Sequence, residues 1–251
     1  MDKTKKQPWY EKDDFWQTIA PVLFNSKRIL DANEEIKQLI SLLNLQPGTS
    51  ICDLCCGLGR HSLELGRLGY CVTGVDRTGL YIEQAKKKAN EQGLNIRFVQ
   101  DDMRSFCEPN AFDAVINVFT SFGYFEEVAD DKQVLENVYK SLKEDGIFLI
   151  DIMGKEVLAR IFQEKRWWEE DGVIILEEAK LAQDWSSVDS RWIIIKDGRR
   201  DEFRFSLRLY SAAQLRELLK SCGFGRVEIY GDLSGSPYDQ TAKRLVVVAH
   251  K

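Results

Sequence analysis

A chain of 251 residues suffices for one large domain, or for a core domain carrying a smaller insertion. With 44% hydrophobic and 30% charged residues it is neither an unfolded nor a membrane-embedded chain, and no apolar stretch, residues 245–249 included, approaches the roughly 20 residues that span a bilayer. A formal net charge of −5 argues against a broad nucleic-acid-binding surface.

The opening MDKTKKQPWYEKDD holds lysines with no apolar run behind them, so no secretory leader is expected and a cytoplasmic location is. Two amphipathic helical patterns follow, at about 11–24 and 31–43, before Pro47-Gly48 breaks the helix. Short apolar runs at 50–55, 71–76, 95–100, 112–118 and 146–152 then alternate with helical patterns at 58–68, 78–91 and 130–142. That alternation predicts an α/β fold, a parallel sheet covered on both faces. The pattern changes near residue 155. After a short helix, 173–185, 188–196 and 202–209 read as strands in quick succession, with a turn at Asp197-Gly198, so 155–210 is expected to form a small antiparallel β insertion. A helix at 211–221, stopped by Gly223, precedes strands at 226–231 and 244–250, which are too close for a crossover helix and should pair antiparallel. The core is therefore expected to comprise 1–154 and 211–251.

Cys52, Cys55, Cys56, Cys71, Cys107 and Cys222 lie mostly inside apolar runs and read as reduced, buried thiols. Cys52 and Cys55 match C-x-x-C, but no second Cys/His pair stands at a matching spacing, and no metal is expected.

The most informative segment is SICDLCCGLGRHSLELGRLGYCVTGVDRT, residues 50–78. A buried strand runs into Gly57-Leu58-Gly59 and then a helix, whose free N–H groups carry partial positive charge. Glycines there let a ligand approach the backbone closely, although both also suit a plain turn. Asp76 closes the next strand, where its carboxylate can accept both hydroxyls of a ribose or cap the helix that starts near Thr78. A lone G-x-G does not name the cofactor.

The wider context does. Asp53-Leu54-Cys55-Cys56-Gly57-Leu58-Gly59-Arg60 resembles the D-x-G-x-G-x-G motif of class I S-adenosylmethionine-dependent methyltransferases. Val99-Gln100-Asp101-Asp102-Met103-Arg104 resembles that family's G-D-M segment, residues 112–125 (FDAVINVFTSFGYF) its fourth motif, and 142–152 (LKEDGIFLIDI) its fifth strand. The likeness covers about 45–152 and 211–250. It implies a Rossmann-like, doubly wound sheet with an antiparallel last strand, and S-adenosyl-L-methionine as cofactor. Asp53, Cys55, Gly57 and Gly59 would form the cofactor loop and Asp76 would bind the ribose. Asp102 would receive the adenine amino group while the main chain of Met103 meets a ring nitrogen. Asn117 would border the cofactor from the fourth motif, and Arg28 would reach the methionine carboxylate. Arg77, where an apolar residue often covers the adenine, either stacks on the ring or faces solvent. Two positions depart from the pattern: Cys55 replaces the usual first glycine, and Asp101 stands where glycine is common.

The members most alike, with Ser-Phe-Gly-Tyr after strand four and an antiparallel insertion, resemble amino-sugar and glycine-type N-methyltransferases. They imply a small-molecule acceptor methylated on nitrogen or oxygen, with neither nucleic acid nor membrane as partner. The sulfonium is already an activated methyl donor, so orientation and exclusion of water suffice and no nucleophile is required. Tyr124 and His61 are the catalytic candidates, the first orienting the acceptor, the second a base or merely a helix-face histidine. Acceptor contacts are expected from Tyr124, Trp167, Trp168, Tyr238 and Asp239, the tryptophan pair serving either as a pocket wall or as a homodimer contact. Residues 1–45, with Trp9, Tyr10, Phe15 and Trp16, would form a helical lid or a staple onto the sheet. Two rival functions remain: an NAD(P)-dependent oxidoreductase and a non-catalytic cofactor-binding module. Asn117-Val118-Phe119-Thr120 is not the N-P-P-Y type used on flipped bases, which argues against a nucleic-acid methyltransferase.

Overall fold

Strand residues alternate between two buried faces, and that alternation assembles the molecule. In the computed structural model, which describes residues 7–251, a 3₁₀ turn (Trp9–Glu11) leads to helices α1 (Asp13–Leu23) and α2 (Ser26–Leu43). β1 (Ser50–Leu54), α3 (Arg60–Arg67), β2 (Cys71–Asp76), α4 (Gly79–Glu91), β3 (Arg97–Gln100), β4 (Phe112–Asn117), α5 (Val128–Ser141) and β5 (Leu142–Ile152) follow. α6 (Lys155–Ile161) then precedes four strands, β6 (Lys165–Glu170), β7 (Val173–Leu181), β8 (Ser187–Lys196) and β9 (Arg199–Arg208). α7 (Ala212–Ser221), β10 (Val227–Tyr230) and β11 (Leu245–His250) close the chain.

The main sheet has seven strands in the order β10-β11-β5-β4-β1-β2-β3. Its β1–β5 pairings are parallel, while β11 runs antiparallel to both β5 and β10. On β11, Val246 and Val248 pack with Ile36, Leu39 and Leu43 of α2, whereas Val247 and Ala249 pack with Val134 and Val138 of α5 and Leu215 and Leu219 of α7. Strand order reverses between β1 and β4, which puts the ligand crevice at the carboxyl ends of these two strands and β2.

The second sheet, β6-β7-β8-β9, is antiparallel throughout. It lays Val173, Ile175 and Ile194 on Phe15, Ile19 and Val22 of α1, so α1 lies between the insertion and the core. The expected α/β sheet, antiparallel end and inserted β-sheet are all present, with three differences in detail. The insertion has a fourth strand, β6, unread because KRWWEE shows no apolar alternation. α2 begins at Ser26 rather than near 31, because the Asn25 side chain caps it by accepting the Arg28 N–H at 2.8 Å. β5 starts at Leu142, its pairing with β4 shifting register between Phe112 and Ala114. Among the described residues no helix is long and apolar enough to cross a membrane.

Candidate active site

The loop after β1 is shaped by three left-handed residues in five: Cys55 at φ 67°, Gly57 at 57° and Gly59 at 76°. Cys55 thus keeps the conformation a glycine would take, at a cost of about 1–2 kcal/mol for a residue with a Cβ. At Gly57 a methyl group would lie 2.5 Å from the Phe24 ring. Asp76, at the end of β2, fastens this loop: its Oδ2 accepts the Gly57 N–H at 2.9 Å and its Oδ1 the Thr78 N–H at 2.8 Å. Burial pushes its carboxyl above the usual carboxylate range, against the pull of those two bonds. Asp53 is buried behind the loop and accepts the Ser62 hydroxyl at 2.6 Å.

A cavity of about 300 Å³ opens over this loop. Of the expected cofactor residues, Cys55, Gly57, Asp76, Arg77, Asp102, Met103 and Arg28 line it, as do Tyr124 and His61. Asp53, Gly59 and Asn117 do not, and support the site from behind. Gly59 packs on Ala85 and Phe98, and Asn117 ties β4 to β1 and its own loop by donating to the carbonyls of Leu54 and Ser121. Arg77 does not lie free for stacking. It donates to the main-chain oxygens of Tyr10 and Glu11 and so holds the N-terminal turn across the site. Arg104 adds an ion pair to Glu11 at 3.0 Å, and a second to Asp102 that keeps the Asp102 carboxyl below its ordinary range despite burial.

At the opposite end three guanidinium groups converge on the Phe119 ring, Arg28 at 4.6 Å, Arg60 at 5.0 Å and Arg244 at 5.9 Å from its centroid. Arg60 pairs with Glu35, and Arg244 with Asp151 at 2.6 Å. The Arg28 guanidinium donates to the Val22 carbonyl at 2.8 Å, and burial lowers its pKa. His61 is held by Glu35 at 2.7 Å; Glu35 in turn is pulled down to about 2, chiefly by His61 and Arg60, against its own burial. Phe119 and Thr120 are both left-handed, at φ 66° and 62°, a strain that the Asp151 carboxylate and carbonyl hold by accepting their two N–H groups. Sequence reasoning passed over Arg60, Arg244, Glu35 and Asp151; Arg60 and Asp151 carried a signal, lying within the quoted loop motif and fifth-strand segment.

Residues 51–146 match the family described as "Methyltransferase domain". Over 97% of each chain the protein is 28% identical to a putative methyltransferase of Geobacillus sp. (strain WCH70). Its fold superposes on an S-adenosylmethionine-dependent methyltransferase from Clostridium acetobutylicum ATCC 824 with a TM-score of 0.77, at 19% identity, covering 95% of this chain and 98% of that one. Residues 51–146 thus form a methyltransferase domain, and the fold around it is that of S-adenosylmethionine-dependent methyltransferases. An amino pentose methyltransferase from Micromonospora echinaspora, solved with S-adenosylmethionine bound, superposes at a TM-score of 0.62 and 18% identity, with 88% of this chain and 89% of that one covered. The residues present here fit that cofactor. The Gly57 cradle has no room for a side chain, and Asp76 is a half-buried carboxylate at the cavity wall with lone pairs to spare.

The methyltransferase's remaining wall corrects four sequence expectations. Trp167 and Trp168 do not line the cavity. They are neighbours on the edge strand β6 and so point to opposite faces: Trp167 is 69% exposed, and Trp168 packs behind Trp192 at 5.7 Å. The insertion contributes Trp192, Phe205 and Leu207 instead. Tyr238 and Asp239 line a separate groove beside α6 and α7, because the loop carrying them folds outward and the Tyr238 hydroxyl donates to Glu156 at 2.9 Å. The aromatic N-terminus lines the same cavity: the Trp9 ring stands 5.0 Å from Tyr124, 5.3 Å from Phe15 and 5.4 Å from Phe205.

Proposed function

We propose that the enzyme transfers the methyl group of S-adenosylmethionine to a nitrogen or oxygen of a small-molecule acceptor seated between the loop after β4 and the insertion sheet. The observation that carries this is a single cavity walled on one side by the cofactor loops and on the other by Trp192, Phe205 and Leu207. Bound there, the cofactor supplies a sulfonium methyl that passes to an acceptor lone pair while sulfur keeps the electrons of the broken bond.

The chain's own residues bind, orient and exclude water. Asp76 takes the ribose hydroxyls on its free lone pairs. Asp102 and the Met103 main chain meet the adenine, and Arg28, the cation at the Phe119 end that pairs with no carboxylate among the described residues, takes the methionine carboxylate. Tyr124, whose hydroxyl burial holds above its ordinary range, stays protonated and orients the acceptor. His61, engaged by Glu35, clamps α3 to α2. The Trp9 turn shuts the site from bulk water, which strengthens the electrostatic interactions inside. A homodimer through the exposed Trp167 and Leu176 face is the use we assign to that patch, and sedimentation of Trp167→Ala against wild type tests it.

Thermal shift with S-adenosylhomocysteine and with NAD tests the reading. At 100 times Kd a ligand adds about 2.7 kcal/mol, which raises Tm by roughly 5–10 °C for a chain of this size. A shift with NAD and none with S-adenosylhomocysteine would reverse the assignment in favour of an oxidoreductase.

A further inference from the structure

β6 stands at the open edge of the insertion sheet. Its ladder with β7 runs from Lys165 to Glu170 without a bulge, and the strand holds no proline. Proteins commonly protect their sheet edges with such devices, because a straight open edge pairs with other chains. One hydrogen bond decides which groups face outward: the Ala179 N–H donates to the Glu164 carbonyl at 2.8 Å. Arg166, Trp168 and Glu170 therefore turn their main-chain groups to β7, while Lys165, Trp167 and Glu169 turn theirs to the open edge. The side chains of these last three share one face of the sheet with Leu176, and all three are exposed, Trp167 at 69%.

The strand KRWWEE runs from basic to acidic, so its charges complement those of its own sequence read in reverse. Two identical edge strands pair antiparallel about a dyad perpendicular to the sheet, which keeps like faces together. With the dyad at Trp167, the outward groups of both strands meet as narrow hydrogen-bonded pairs. Lys165 then lies opposite Glu169 of the partner subunit, and the exposed Trp167 ring lies against its own copy. A dyad at Trp168 would set Trp167 against a carboxylate instead, and one at Arg166 would set two guanidinium groups on each other. From these observations, and resting on the homodimer reading above, we infer that the partner is a second copy of this chain whose β6 adds antiparallel to this one, Trp167 on Trp167, joining the two four-stranded sheets into one. Both charged residues are available for it. Lys165 reaches Glu178 of its own chain only at 3.9 Å, with both side chains exposed, a pair worth little. Glu169 lies opposite Ile174 and pairs with no cation among the described residues. On the other face Arg166, 5.2 Å from the ring centroid of its own Trp168, comes opposite the partner subunit's Trp168. The one like-charged match, Glu164 with Glu170, falls beyond the last hydrogen bonds of the new ladder.

Sedimentation equilibrium of the full-length protein is expected to give a dimer with a Kd below about 10 μM. Lys165→Glu sets two carboxylates opposite each other at both ends of the ladder, and Glu169→Lys sets two ammonium groups there. Either change should weaken the dimer at least about tenfold. An equimolar mixture of the two variants restores both opposite-charge pairs, so it should form a heterodimer within about threefold of wild-type affinity. Both substitutions are of exposed side chains, and an unchanged circular dichroism spectrum shows that each variant is folded. A dimer that neither substitution weakens, or a mixture that associates no better than its components, would overturn the edge pairing and leave the homodimer to another surface. A wild-type monomer at about 100 μM would remove the homodimer reading and the edge pairing together.

Discussion

Replacing Asp76 by alanine should separate the cofactor's hold on this enzyme from the fold's. The carboxylate makes two bonds of its own, to the Gly57 and Thr78 N–H groups at 2.9 and 2.8 Å, and both donors belong to the cofactor loop region. Its loss leaves those donors short of a charged acceptor, at about 1–3 kcal/mol in all once water is admitted to the opened site. In a chain of this size that lowers Tm by roughly 2–12 °C without unfolding the protein. The ribose contacts are lost in addition, about 1.5–3 kcal/mol of ligand binding, or 10- to 150-fold in Kd for S-adenosylhomocysteine. Asp76→Asn should be intermediate in both respects, because an amide oxygen satisfies one of the two N–H groups while its NH₂ faces the other. Calorimetry with S-adenosylhomocysteine and a melt of the free protein measure the two effects independently. A lower Tm with an unchanged Kd would reduce Asp76 to a loop clamp and refute the ribose assignment.

Gly57→Ala places a methyl 2.5 Å from the Phe24 ring at a left-handed φ, so it should cost about 1–2 kcal/mol of stability and weaken S-adenosylhomocysteine at least tenfold, read by the same two assays. Glu35 has its pKa lowered from 4.5 to about 2, so its stabilisation is present above pH 4.5 and is lost as pH falls toward 2. With the side chain 30% exposed, that amounts to about 2–3 kcal/mol. Glu35→Gln should therefore be less stable at pH 7, with the difference from wild type shrinking between pH 5 and pH 2 in urea titrations; a constant difference would deny the ion cluster its role. Phe205→Ala, which opens the aromatic wall, should cost about 2 kcal/mol or more, read in the same melts.

Much of this fold was written locally. Period-two apolar runs bounded by Gly57, Gly59 and Asp197-Gly198 mark strands and turns wherever they occur, and short links between the last two strands leave only an antiparallel pairing. Cys55 obeys the backbone geometry of its motif rather than the residue preference, so the loop stayed readable despite the substitution. The acceptor wall was not readable in this way. Alternation along β8 places Trp192 and Ile194 on one face, but which face turns inward depends on α1 lying between the two sheets. Trp167 and Trp168, conspicuous as a pair, were bound to split across an edge strand, and only the partner across the sheet decided which was covered. Tyr238 and Asp239 were placed by the path of a loop that no periodicity encodes. The ion cluster of Arg60, His61 and Glu35 joins α2 to α3 at a separation of 25 residues or more, a coincidence in space with no counterpart in sequence spacing. The family resemblance was enough to predict the cofactor, because each of the motifs that carry it is a continuous segment of sequence. The aromatic wall of the cavity is assembled from the N-terminal turn with α1, the loop after β4 and the insertion, and their meeting is a property of tertiary packing alone.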